Sequence, residues 1–204
     1  MKLYYGRGTC SLAPHIALRE TGAAFDLVLV DIRAKLTEAG ADFRAINPNG
    51  YVPVLELDSG ERLTETVVIL RYIADQYPAA NLAPPAGTMA RYRLLEWLTF
   101  ISSEVHKNYS PLFNPAVPEE FKAMTREKIG VRLGYVEQRL AGKQYLMGDA
   151  FSVADAYLFI CLNWSKAIQV DLAAFANLQG FQARVAARPA TQAALQAEKP
   201  IRKA

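Results

Sequence analysis

The rhythm of hydrophobic and polar positions changes once along this chain. In the first 76 residues, short apolar or β-branched runs alternate with stretches of helical period. Lys2-Leu3-Tyr4-Tyr5 predicts a strand. Leu12 to Thr21 predicts a helix stopped by Gly22. Asp26-Leu27-Val28-Leu29-Val30 predicts a second strand, Val52 to Leu57 a third, and Arg62-Leu63 the start of a fourth. Asp58-Ser59-Gly60 is the hairpin turn between the last two. Thr66 to Tyr77 has apolar residues at 67, 68, 69, 70, 73 and 74, a helix with one wide buried face. The order βαβ, then a loop or irregular helix, then ββα, predicts a small mixed sheet with a parallel part and a hairpin.

Residues 78–88 interrupt the pattern with three prolines and a glycine, which predicts a linker. Beyond it the chain reads as helix upon helix. One runs from Ala90 to about Tyr109, with Trp97, Leu98, Phe100 and Ile101 in its middle. Another starts at Pro118-Glu119-Glu120, with proline early and acids in the first turn, and runs to about Leu140. Ser152-Val153-Ala154-Asp155 has the spacing of a capping box, with Asp in place of the usual Glu or Gln. It opens a very apolar helix through Ala156–Leu162, and helical patterns continue to about residue 197. The expected fold class is therefore α/β plus all-α. Residues 1–77 form a first domain, 78–88 a linker and 89–204 a helical domain.

Composition narrows the function. The 204 residues are 51% hydrophobic and 21% charged, an ordinary globular balance. No apolar run approaches the ~20 residues of a membrane span, and Met1–Tyr5 runs directly into strand-like sequence without the features of a signal peptide. The expected location is cytoplasmic. Net charge is +3, split as −2 over residues 1–80 and +5 over residues 81–204. The basic residues are scattered along helices, which argues for a solvated surface and against nucleic-acid binding. Two cysteines, Cys10 and Cys161, are too few for a disulfide framework. No metal site is expected.

The candidate chemistry begins at Gly6-Arg7-Gly8-Thr9-Cys10-Ser11, which joins the first strand to the first helix. With Ser11 as N-cap, Pro14 becomes the third helical residue, where its missing N–H costs nothing. Cys10 then lies just outside the positive end of the helix, so its pKa is expected to fall. The bland alternative, a small buried hydrophobe, suits Cys161 within its apolar helix. Alanine at position 13 excludes a Cys-x-x-Cys pair, which points to a thiol supplied from elsewhere. In Val52-Pro53-Val54, a cis bond before Pro53 would free the backbone of Val52 to pair with an extended ligand; a trans edge-strand proline is the commoner alternative. Glu65 and Thr66, ahead of a helix, offer a carboxylate, a hydroxyl and free N–H groups to a ligand, or simple capping. His106 alone reads more often as surface or structural than as functional, and His15 reads as structural.

Taken together, Thr9-Cys10-Ser11 with Ala13-Pro14-His15, Asn47-Pro48-x-Gly50-x-Val52-Pro53-x-Leu55, Leu63-Thr64-Glu65-Thr66 and Asp149 to Asp155 resemble a glutathione S-transferase over essentially the whole chain. Cys10 with His106 and Lys107 is most similar to the bacterial beta class. The resemblance implies a thioredoxin-like first domain, an all-helical second domain, a homodimer, and glutathione as co-substrate. It places Cys10 near the glutathione sulfur, able to form a mixed disulfide with it. It makes Pro53 the cis-proline and gives the cysteinyl backbone to Val52. It gives the γ-glutamyl end to Glu65 and Thr66, and the glycine carboxylate to Lys35. Ser103, His106 and Lys107 are implied near the thiol and the electrophile, and Glu104 near the partner's γ-glutamyl amine. Tyr109 and Phe113 are the expected walls of a hydrophobic electrophile site in a cleft.

The implied reaction is attack of an activated glutathione thiolate on an apolar electrophile, with peroxidase or disulfide-reductase chemistry through Cys10 beside it. A glutathione-dependent reductase or dehalogenase is the rival enzyme reading. A non-catalytic glutathione-binding stress protein is the rival outside enzymology.

Overall fold

A computed structural model describes residues 1–200 of the chain; the last four residues of the expected 89–204 domain lie outside the described residues. The chain divides into two compact units. One comprises Met1–Leu82 together with the stretch from Arg188 onward, and the other Ala83–Ala187.

The first unit is built on a five-stranded mixed sheet. Its strands are β1 (Lys2–Tyr5), β2 (Asp26–Asp31), β3 (Leu36–Thr37), β4 (Val54–Glu56) and β5 (Arg62–Leu63), in the order β3-β2-β1-β4-β5. β1 pairs parallel with β2 and antiparallel with β4, and β4–β5 is the expected hairpin. The two-residue β3 is too short to leave a sequence period. Alternation along β1 sends neighbouring side chains to opposite faces. Tyr4 joins Val30, Phe43 and Val54 in one buried cluster, while Leu3 is opposite Leu27 and Leu55 in the adjoining strands.

Helix α1 (Leu12–Thr21) ends at Gly22, whose φ of 70° is the left-handed conformation glycine adopts freely. It packs against α2 (Thr66–Gln76). It also packs against α8 (Pro189–Ala197), which differs from the expected partition, where the last helix belonged with the helical domain. Specific contacts hold it there. Arg188 grips Glu20 with two parallel bonds of 2.6 and 2.9 Å. Past the end of α8, Glu198 accepts from the Gly8 N–H at 3.4 Å and meets Nδ1 of the fully buried His15 at 2.9 Å.

The second unit is helical. Thr88 caps α3 (Met89–Phe100), its hydroxyl accepting from the Arg91 N–H at 3.2 Å. The single helix expected to reach Tyr109 instead changes hydrogen-bond register. Ile101–His106 is a π-helical turn, followed by the short α4 (Lys107–Tyr109) and a 3₁₀ turn over Ser110–Phe113. After α5 (Glu119–Leu140), the apolar α6 (Val153–Trp164) forms the centre of the core, buried from Val153 through Leu162. α7 (Ala176–Ala186) packs on both α5 and α6. The expected box at the start of α6 is present: the Asp155 carboxylate accepts from the Ser152 N–H and hydroxyl and from the Leu146 N–H, all within 2.8 Å. Among the described residues no helix is long and apolar enough to cross a membrane.

Candidate active site

The first cluster lies where β1 hands over to α1. Gly6 begins the loop, and a Cβ there would meet Ile32 Cγ2 at 2.8 Å and Thr9 Cγ2 at 3.1 Å. Ser11 occupies the N-cap position and Pro14 the third helical one, as the sequence predicts, but the Ser11 hydroxyl does not cap the helix. It accepts from the Gly6 N–H and donates to the Gly6 carbonyl, both at 3.1 Å. Thr9 adds a bond from its hydroxyl to the same carbonyl at 2.9 Å. Serine and threonine thus stitch the loop shut and hold Cys10 at its tip.

Cys10 is half-buried, and its Sγ donates to the Val52 carbonyl at 3.6 Å. Its acidity runs against the sequence expectation: burial pushes the thiol up to about 11. The Thr66 hydroxyl and the N–H groups of Cys10 and Ser11 pull the other way, while the Glu65 carboxylate adds to the rise. The helix end does supply stabilising donors, but the loss of water around sulfur outweighs them. Resting Cys10 is therefore a thiol and a hydrogen-bond donor. At pH 7 its thiolate is about 10⁻⁴ of the population.

Three more predicted residues gather in the same unit. The Val52–Pro53 bond is cis. Glu65 precedes α2 with a φ of 65° and ψ of 119°, a conformation non-glycine residues avoid. That backbone leaves the Glu65 side chain exposed at the helix N-terminus while Thr66 is buried. Lys35 also has a positive φ, of 60°. Its Nζ donates to the Gly50 carbonyl at 2.8 Å and stands 5.4 Å over the exposed Tyr51 ring. A lysine so held is a cation fixed in place.

The second cluster is on the π-turn of the helical unit. Such turns are rare and concentrate at functional positions, because one extra residue re-aims the side chains that follow. His106 closes the turn. Its Nδ1 lies 2.7 Å from the Tyr157 hydroxyl, its ring meets Tyr157 edge-on at 5.8 Å, and Trp164 lies 4.9 Å away. Burial, and then the neighbouring Lys107 charge, pull its pKa down to about 4, so the ring is neutral at neutral pH. Ser103 donates its hydroxyl to the Thr99 carbonyl at 3.0 Å. Glu104 pairs with Arg132 at 2.7 Å within its own chain, so any reach toward a partner's ligand must share that cation.

The expected hydrophobic walls separate. Phe113 is exposed and stacks edge-on against Trp164 at 6.0 Å, free to offer an apolar face. Tyr109 is a correction: it is fully buried, its hydroxyl 2.8 Å from Ser165 Oγ, with burial holding that hydroxyl far above the usual phenol range. It is a core residue of the helical unit and lines no accessible wall. Tyr157 and Trp164, which contact His106, carry no sequence signal of that role, since they lie more than 50 positions away in a mostly apolar helix.

Comparison with known proteins identifies the family of the chain. Residues 8–76 match the glutathione S-transferase N-terminal domain and residues 100–189 its C-terminal domain. The chain belongs to the glutathione S-transferase family. It is 45% identical to the glutathione S-transferase GstA of Escherichia coli O157:H7 over 198 residues, covering 97% of this chain and 98% of that one. Among solved structures it is similar to a sphingomonad glutathione S-transferase complexed with glutathione (TM-score 0.94, 52% identity, 97% and 98% of the two chains). It is equally similar to a bacterial beta-class glutathione S-transferase of Sphingomonas chungbukensis (TM-score 0.94, 50% identity, 97% and 98%).

Proposed function

We propose that this chain is a cytoplasmic, homodimeric glutathione transferase that joins the glutathione thiolate to apolar electrophiles in detoxification. The observation that carries the reading is the grouping of Cys10, the Val52 carbonyl, Thr66 and the strained Glu65 in one unit. That grouping offers a peptide ligand a backbone partner, a hydroxyl, a carboxylate for its ammonium, and a thiol beside its own. Lys35 supplies the cation for the far carboxylate. The glutathione-bound relative supports the same ligand.

In this reading Glu65 and Thr66 hold the γ-glutamyl end, the backbone of Val52 beside Pro53 holds the cysteinyl unit, and Lys35 holds the glycine end. Ser103, His106 and Lys107 serve the thiol and the electrophile, and Phe113 offers the apolar face. The ligand thiol, with an ordinary pKa near ~8.5, loses its proton to water far more readily than Cys10. Its thiolate then attacks an electrophilic carbon. A C–S bond forms, the carbon–halogen bond breaks, and halide leaves with the electron pair. Cys10 donates its S–H to the ligand sulfur and keeps its proton. The raised pKa of Cys10 weighs against the reductase reading, because a mixed disulfide requires Cys10 as thiolate.

The test is conjugation of glutathione to 1-chloro-2,4-dinitrobenzene, read by absorbance and chloride release, with light scattering for the dimer. Turnover with one chloride per conjugate is expected. Absence of both glutathione binding and turnover sinks the reading. Turnover of mixed disulfides that exceeds conjugation would instead favour the reductase.

A further inference from the structure

The chain has two histidines; His15 is held on both ring nitrogens and His106 on its Nδ1. On His15, Arg19 Nε lies 2.9 Å from Nε2. Guanidinium donates only, so Nε2 accepts and the His15 proton sits on Nδ1, facing Glu198 Oε1 at 2.9 Å. For His106 the neighbour is the Tyr157 hydroxyl, 2.7 Å from Nδ1. A phenol is a stronger acid than a neutral imidazole N–H, and an imidazole nitrogen a stronger base than a phenol oxygen. That ordering of acidities favours O–H···N, from Tyr157 to His106, in this pair.

We infer that Tyr157 is a positioning residue that holds His106 as its Nε2–H tautomer, so that the ring offers a donor, and not a base, to the ligand thiolate. The inference rests on the proposed assignment of His106 to the glutathione thiol. Tyr157 is itself fixed: it is 2% exposed within α6. Trp164, at 4.9 Å, and the edge-on Tyr157 ring hem in the imidazole. Nδ1 is taken, and the side chain is only partly buried, so Nε2 is the polar atom left for a ligand. A fixed N–H there stabilises a sulfur anion. The opposite tautomer would present a lone pair and favour the protonated thiol. No proton moves in this role.

The test is a two-bond ¹H–¹⁵N correlation spectrum of the full-length protein labelled in histidine, which contains two ring systems. His15 is expected with its proton on Nδ1 and His106 with its proton on Nε2. In Tyr157→Phe the His106 pattern should shift to a mixture of tautomers while the His15 pattern stays put, reporting an intact fold. Turnover of that variant should fall about 10-fold, with the glutathione KM changed by less than about twofold. In a His106→Gln background, whose side-chain amide donates with or without Tyr157, adding Tyr157→Phe should cost nothing more. A His106 proton on Nδ1 in the unaltered protein, or a His106 pattern unmoved by Tyr157→Phe, overturns the inference. If Tyr157→Phe fails to fold, the unaltered protein's spectrum alone decides the tautomer. If the tautomers are as expected but His106→Ala turns over normally, the assignment of His106 to the thiol is what fails, and the inference falls with it.

Discussion

The Cys10 loop and the His106 turn carry the two groups that a chemist would first suspect of holding charge, and burial has neutralised both. The thiol is pushed up and the imidazole down, so at neutral pH one is S–H and the other an uncharged ring. They differ in how they are held. Cys10 is fastened mainly by its own neighbours, Gly6, Thr9 and Ser11, in bonds spanning five residues or fewer. His106 is fastened by Tyr157, 51 positions away. The lesson is that burial keeps both groups neutral, because a neutral donor costs less to bury than an ion; in the proposed reading the reactive charge arrives with the ligand.

The sharpest way to break this comparison is to measure the acidity of Cys10. With a pKa of about 11, its alkylation by iodoacetamide at pH 7 should run roughly 300-fold slower than that of an ordinary thiol. The rate should still be climbing at pH 10. A plateau below pH 8 would show that the helix end wins over burial.

The mirror-image prediction concerns His106 and acid. Its folded pKa of about 4 lies below the ordinary 6.5, so folding favours the neutral ring. The stability this carries is fully present above pH 6.5 and is lost as pH falls toward 4, by about 3 kcal/mol. Urea melts of the unaltered protein and of His106→Gln should diverge across that window. Parallel curves would mean that the imidazole is charged at little cost.

A smaller effect tests the exposed carboxylate ahead of α2 in the first unit. Glu65→Ala should raise the glutathione KM roughly 10- to 100-fold, the loss of one charge-assisted bond. Its thermal midpoint should hold, because the removed side chain is exposed and alanine keeps the same strained backbone. An unchanged KM would remove Glu65 from the ligand. The smallest expected change is Gly6→Ala. Its new methyl meets Ile32, which is 43% exposed and can swing aside. A loss of about 1 kcal/mol is expected, with Cys10 still unreactive. A variant that gains thiol reactivity would show that the tight loop, rather than burial at large, keeps Cys10 protonated.

Much of the architecture was legible because it is written in local periods. The strands at Lys2–Tyr5 and Asp26–Asp31, the hairpin, α2 and the box at Ser152–Asp155 follow from alternation, turn residues and caps that act over two to four positions. The π-turn was not legible, because an added residue leaves no period of its own in the sequence; Ile101 and Val105 within it and Tyr109 just beyond it are each buried. Tyr109 misled for a related reason. An aromatic residue near a suspected site looks the same in sequence whether it faces a ligand or the core.

By itself the sequence determined the alternation of strands and helices, the place of Cys10 before a helix, and the family. Each of these depends on contacts between near neighbours or on motifs in order. Tertiary structure alone decided that Cys10 is a thiol resting on Val52, that His106 is a neutral ring held by Tyr157, and that α8 returns to α1. Protonation follows the free energy of burying a charge, and burial is a property of the packed chain that no single stretch of it contains.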